Sequence, residues 1–310
     1  MKTVIYKNFK KLNQGKKKAN AGFTLIELLL AASLMGIVIT VSGWGLNAIL
    51  LANERGKAES VVNNNLARAL DFISDDVRTA NLASAVAPKW ASDSNSSNDP
   101  DWISELGTSS PAPSPKLYLQ IPISAQNANP NLPSMNASTN VINIPNHGFS
   151  KGDAVMFTGS GTIAGGLSKY IEDDNKNDIY YVYIDSSDPA TDKDNFKLAT
   201  SINNINNNIT IDLTSDSSGS LFANRLAIYY IRTNTSTWLA PRTVNRSVGP
   251  CVSFYADSNC PALVDAIYND GFTATVSNSR QVTLELMGRL NKNNKTTTLK
   301  TQAFVRNTPP

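Results

Sequence analysis

Between Leu28 and Asn53 the chain runs for 26 residues without a charged side chain. A helix rises 1.5 Å per residue, so about 20 apolar residues suffice to cross the roughly 30 Å hydrocarbon core of a bilayer. This stretch is long enough, and no proline interrupts it. The chain must therefore be built around an apolar helix that lipid can cover. Gly36, Gly43 and Gly45 lie inside it. Each costs about 0.8–1 kcal/mol relative to alanine in a water-exposed helix, but small residues are tolerated in membrane helices and permit close packing. Membrane tolerance and a local soft spot account for them equally well.

What precedes the apolar stretch decides how it is used. Seven lysines (Lys2, Lys7, Lys10, Lys11, Lys16, Lys17 and Lys18) and no acid stand before Gly22, and without them the net charge of +3 becomes −4. The basic balance belongs to a leader, which removes the argument for nucleic-acid binding. Lysines ahead of the apolar helix place the N-terminus in the cytoplasm and the remainder outside. A secretory signal is cut after its apolar region, at a small-residue site. Here the small-residue step, Ala21-Gly22, precedes it. Cleavage there would remove the lysines and leave the apolar helix on the mature chain.

The string Gly22-Phe23-Thr24-Leu25-Ile26-Glu27, set between a lysine leader and an uncharged helix, resembles the type IV prepilin family of pilins and type II secretion pseudopilins. The resemblance implies cleavage between Gly22 and Phe23 by a prepilin peptidase and N-methylation of Phe23. It also implies that Glu27 pairs with the terminal amine of a neighbouring subunit during filament assembly. A lone charge costs about 2.5–3.5 kcal/mol at the bilayer centre, which pairing would partly recover. A helix-end capping role for Glu27 is the plainer alternative. Partners implied are the peptidase, other pilins or pseudopilins of the filament, and an inner-membrane assembly platform.

Apolar residues continue at Val62, Leu66, Ala69, Ile73, Val77 and Ala80, steps of three and four that predict one buried helical stripe. Arg68, Asp71, Asp75 and Arg78 fall on other faces and read as solvated. One helix is expected from Phe23 to Ser84. Ser92–Pro100 and Pro111–Pro115 read as loop. Strands are expected at Lys116–Ile123, half-buried by its alternation, at Arg225–Arg232, and as a terminal hairpin of Gln281–Leu290 with Thr298–Asn307. The fold class is α+β, an antiparallel sheet packed on a long helix. The stretches "ARALDFISDDVRTA" and "FVRN" resemble the large minor-pilin branch of pseudopilin J and minor pilin W types, and more narrowly cyanobacterial pseudopilins of hormogonium polysaccharide secretion.

Residues 125–222 are rich in Asn, Ser, Asp and Gly, with short β-like runs at 141–144, 153–157, 179–184, 195–200 and 209–214. They resemble a β-module of large bacterial adhesins and phage tail proteins, which would give the chain a glycan or cargo partner. The expected organisation is a leader at 1–22, the membrane and pilin helix at 23–84, a β head from 85–124 and 223–310, and an inserted all-β module at 125–222. Such an insertion at a loop is tolerated by its host, and excising it would leave a folded head.

Chemistry is sparse. Cys251 and Cys260, the only cysteines, read as a disulfide in an exported domain. The single histidine, His147, has no nucleophile or acid at a motif spacing and reads as a turn residue. Gly159–Gly166, "GSGTIAGG", lacks the lysine and serine or threonine of a phosphate loop and reads as a flexible hairpin loop. Glu172–Asp178 lacks the glycine and closing glutamate of a calcium loop and reads as an acidic turn. No enzyme, cofactor or metal site is expected.

Overall fold

The structure is a computed structural model that describes residues 23–88, 114–123, 133–169, 179–185, 187, 190–233, 242–249, 261–278, 280–290 and 295–306. The leader with Gly22, the loop 92–100, the acidic turn 172–178 and both cysteines lie outside the described residues. The chain divides into two compact units, Met1–Gly56 and Lys57–Pro310, and helix α1 (Leu25–Thr79) contributes to both.

In the first unit the large apolar side chains from Phe23 to Leu51 are all exposed. The helix is long and apolar enough to cross a membrane. Two hydroxyls within it are satisfied by the helix itself, Ser33 Oγ donating to Leu30 O and Thr40 Oγ1 to Gly36 O, both at 2.8 Å. Hydrocarbon offers no water to do so.

The second unit is α+β. All six stripe residues of the 62–80 segment are buried, from Val62 at 6% to Leu66, Ile73, Val77 and Ala80 at 0%. Arg68, Asp71, Asp75 and Arg78 are exposed. The helix ends at Thr79, short of the Ser84 expected. Asn81 N–H donates instead to Gln120 O at 2.8 Å, and Leu82–Ser84 pair as strand β1 with β2 (Ser114–Pro122). A strand ladder there outcompetes another helical turn.

Among the described residues one sheet of ten antiparallel strands dominates. Its order is β1, β2, β8 (Phe222–Thr233), β5 (Ala154–Thr158), β6 (Ile179–Tyr183), β7 (Asn195–Ala199), β4 (Val141–Asn143) and β3 (Ser134–Asn136). Strand β9 (Arg242–Ser247) also pairs with β8, and β10 (Ala262–Val264) with β9. A second sheet orders β11 (Ile267–Ser277), β12 (Gln281–Arg289) and β13 (Thr296–Phe304). The terminal hairpin is β12–β13, and β12 alternates buried and half-buried residues along its length.

The β2 alternation has a different meaning from the half-buried strand expected. Leu117 to Ile121 are all buried. Leu117, Leu119 and Ile121 join the core under the helix, while Tyr118 joins a second cluster. Pro115 is the second residue of this strand rather than the end of a loop, at an irregularity in its pairing with β8, where a missing N–H is tolerated.

Residues 125–222 are woven into the same sheet. Strand β8 pairs with β2 along one edge, and on the other with β5 at residues 222–225 and β9 at residues 228–233. A second apolar cluster combines Tyr118, Leu226, Ile228 and Tyr230 with Met156, Tyr181, Ile205 and their neighbours. A third cluster, including Ile142, Phe157, Val182 and Phe196, lies almost wholly in the 133–223 stretch. The expected strand at 209–214 forms no ladder. Ile211 N–H donates to Leu198 O, and a short helix α2 (Ile202–Asn206) precedes the segment.

Candidate functional site

The motif residues within the described chain form a closed hydrogen-bonded turn at the start of α1. Thr24 N–H and Thr24 Oγ1 both donate to Glu27 Oε2 at 3.0 Å, and Glu27 N–H donates back to Thr24 Oγ1 at 3.3 Å. Leu28 N–H donates to Thr24 O at 3.2 Å. This reciprocal arrangement is a capping box, Thr-x-x-Glu, which satisfies two of the helix's orphan amides. Its signal stands in the sequence at Thr24-Leu25-Ile26-Glu27. Phe23, 85% exposed, ends just outside the helix. The carboxylate of Glu27 is therefore held by its own helix, at the positive end of the dipole.

Three further constellations lie in the second unit, and of their central residues the sequence singles out His147 alone. The first joins helix to sheet. Tyr229 and Arg246 are partners across the β8–β9 ladder, and both reach Asp76 near the end of α1. Tyr229 OH donates to Asp76 Oδ2 at 2.5 Å and Arg246 Nε to the same oxygen at 2.8 Å. Burial pushes the Tyr229 phenol well above its ordinary range, so it remains a donor. Asp76 flanks the apolar stripe beside Val77, and nothing in the spacing distinguishes it from exposed Asp75.

The second lies where residues 125–222 meet β8. Asp153, 3% exposed, faces Arg225 at 3.4 Å and accepts from Ser150 N–H at 2.9 Å. Burial raises its carboxyl above the ordinary carboxylate range, against the lowering pull of Arg225. Arg225 also donates to Gly148 O and lies 4.9 Å from the Phe149 ring centroid.

His147 is the third. It is a buried tie between two loops, rather than only a turn residue. Phe149 N–H donates to its Nδ1 at 2.9 Å, which leaves Nε2 to carry the proton towards Asp192 O at 3.1 Å. That pair of contacts selects the neutral ring. Burial lowers its pKa below the ordinary imidazole value. Its ring packs with Phe149 and Phe196 at centroid distances of 5.3 and 4.9 Å. Asn146, His147, Gly148, Phe149, Ile184, Asp192 and Lys193 line a cleft of about 350 Å³.

The glycine string 159–166 is a packed strap rather than a flexible loop. Gly161 N–H donates to Ser220 O at 2.7 Å, and Thr162 and Ser218 exchange both backbone hydrogen bonds. A Cβ on Gly161 would stand 2.6 Å from Ser218 O, so glycine is required by close backbone approach. Among the described residues no group of three His, Cys, Asp or Glu side chains could hold a metal ion.

Residues 17–43 match the family described as the prokaryotic N-terminal methylation motif. No curated protein and no solved structure is significantly similar to the chain.

Proposed function

We propose, from the type IV prepilin-like N-terminus that this chain carries, that it is a minor pilin or pseudopilin. In this reading it is cleaved between Gly22 and Phe23 by a prepilin peptidase and methylated on Phe23. It is held in the inner membrane by α1, with its N-terminus cytoplasmic before cleavage and its head on the outer side. The assembly platform then draws it into a filament beside other pilins. The observation that carries the reading is the order of parts: seven lysines, the Gly22-Phe23 step, Glu27, then 26 uncharged residues. Outside the cytoplasm Cys251 and Cys260 would be joined. A second reading is favoured by the cleft beside His147: residues 125–222 recognise a glycan or cargo that the filament meets.

Intact mass tests the first reading. The mature chain should begin at Phe23, about 2.5 kDa lighter than the precursor, the summed mass of residues 1–22. Gly22→Asp should remain full length, because a side chain at that step blocks the peptidase. Alkylation of the same preparation with and without reductant should find no free thiol. A full-length wild type, or normal cleavage of the variant, would overturn the proposal.

A further inference from the structure

We infer that the cleft beside His147 is a saccharide site, an inference that rests on the recognition reading above. Its volume, about 350 Å³, lies at the small end of ligand clefts, roughly 300–1,000 Å³. That size suits one or two sugar rings rather than a folded partner. The floor is apolar, made by the buried rings of His147 and Phe149 with half-buried Ile184. The rim is polar and exposed: Asn146, Asp192 and Lys193. A sugar ring presents the same division, C–H groups on its faces and hydroxyls around its edge. Each hydroxyl both donates and accepts, so it is best served by a rim that does both.

The rim can do both because its polar ends are not consumed by hydrogen bonds to the described residues. Asp192 Oδ1 accepts from Asp194 N–H, Asn195 N–H and Asn195 Nδ2, which fixes the carboxylate. Its Oδ2 takes no hydrogen bond among the described residues. Neither does the Lys193 ammonium or the Asn146 carboxamide. Among the described residues a carboxylate oxygen, an ammonium and a carboxamide thus stand unpaired around one apolar floor.

The frame is set before any ligand arrives. Asn146 N–H is held by Asp194 Oδ1 at 2.8 Å, His147 is bonded through both ring nitrogens, and Arg225 clamps Gly148 O. Preorganisation of this kind removes an ordering cost from binding.

Saturation-transfer NMR on the full mature chain tests the inference, in a phosphocholine detergent so that no sugar headgroup competes. The probes are the methyl glycosides of glucose, galactose, N-acetylglucosamine and glucuronate, with an acidic hexapeptide as the contrast. At least one sugar should receive saturation, with affinity in the millimolar range expected of so small a ligand. Asp192→Asn keeps the acceptor that orders the turn but replaces Oδ2 by a donor. It and Lys193→Ala should each weaken binding at least fivefold, with the thermal midpoint unchanged. Asp270→Asn, on the other sheet, should leave binding intact. Silence from every sugar overturns the inference, as does transfer indifferent to both rim variants or a preference for the peptide. Cleavage at Gly22, read by mass on the same sample, reports separately on the pilin reading.

Discussion

Glu27 already has partners in its own helix, and that changes what its assembly role would require. Thr24 supplies two donors to one carboxylate oxygen, leaving the other open to a neighbouring subunit's terminal amine. Capping and assembly are therefore compatible rather than exclusive. Glu27→Val should be cleaved and inserted like wild type, because it removes a charge from an apolar helix. It should nonetheless be absent from sheared filaments, and a variant recovered there at wild-type levels would reduce Glu27 to a cap. His147 gives a pH prediction. Its folded pKa is depressed, so the unfolded chain binds more protons and stability is lost as pH falls below about 6.5. Asp153, raised by burial, acts in the opposite sense above its ordinary 3.8. His147→Gln should therefore flatten the fall in thermal midpoint between pH 7.5 and 5.5, and an unchanged slope would remove the neutral ring from the account.

At the scale of elements, the helix is fastened to the sheet by apolar burial plus a largely buried polar latch. Asp76→Ala would leave the Tyr229 hydroxyl and the Arg246 guanidinium without their shared acceptor in a site where Asp76 is only 18% exposed. A buried donor left unmade costs about 1–3 kcal/mol, or roughly 2–4 °C per kcal/mol in a unit of this size. Asp75→Ala removes an exposed pair with Arg78 and should shift the midpoint by less than about 1 kcal/mol equivalent. Near-UV circular dichroism melts of the two neighbours should separate them clearly, and equal shifts would show that the latch adds nothing. The helix and its stripe were legible because a 3.6-residue period reports burial directly. The long ladders β2, β12 and β13 were legible from alternation, and β8 from its uninterrupted apolar run of Leu226 to Ile231. Strand β9 was not, since "RTVNRS" holds a single apolar residue, and in β11 the turn-like Asn269-Asp270-Gly271 hid the alternation of Phe272, Ala274 and Val276 with exposed Thr273, Thr275 and Ser277. Asp76 and Asp153 were illegible for a related reason: their partners, Arg246 and Arg225, are distant in the chain, and only the sheet brings them near.

For the whole molecule, the open matter is whether residues 125–222 are cargo on the head or part of it. Excision is not prevented by chain closure. Pro122 and Asn224 are paired across β2 and β8, so a short Gly/Ser linker joins ends that already meet, and loop entropy changes little. The obstacle is the face left behind. Tyr118, Leu226, Ile228 and Tyr230, each no more than 5% exposed, are covered by Met156, Tyr181, Ile205 and other side chains from the segment. Burying a large apolar side chain is worth about 1.5–3 kcal/mol, so uncovering four forfeits about 6–12 kcal/mol, comparable with the 5–15 kcal/mol that holds a domain folded. Replacing residues 125–221 by a linker should therefore yield a head that aggregates or is degraded, although the N-terminal motif is untouched and Gly22 cleavage should persist. Changing Tyr118, Leu226, Ile228 and Tyr230 to Ser, Gln, Thr and Thr in the same deletion should recover soluble protein, because the exposed face then suits water. A soluble, cooperatively melting deletion without those changes would show instead that the segment is a separable module.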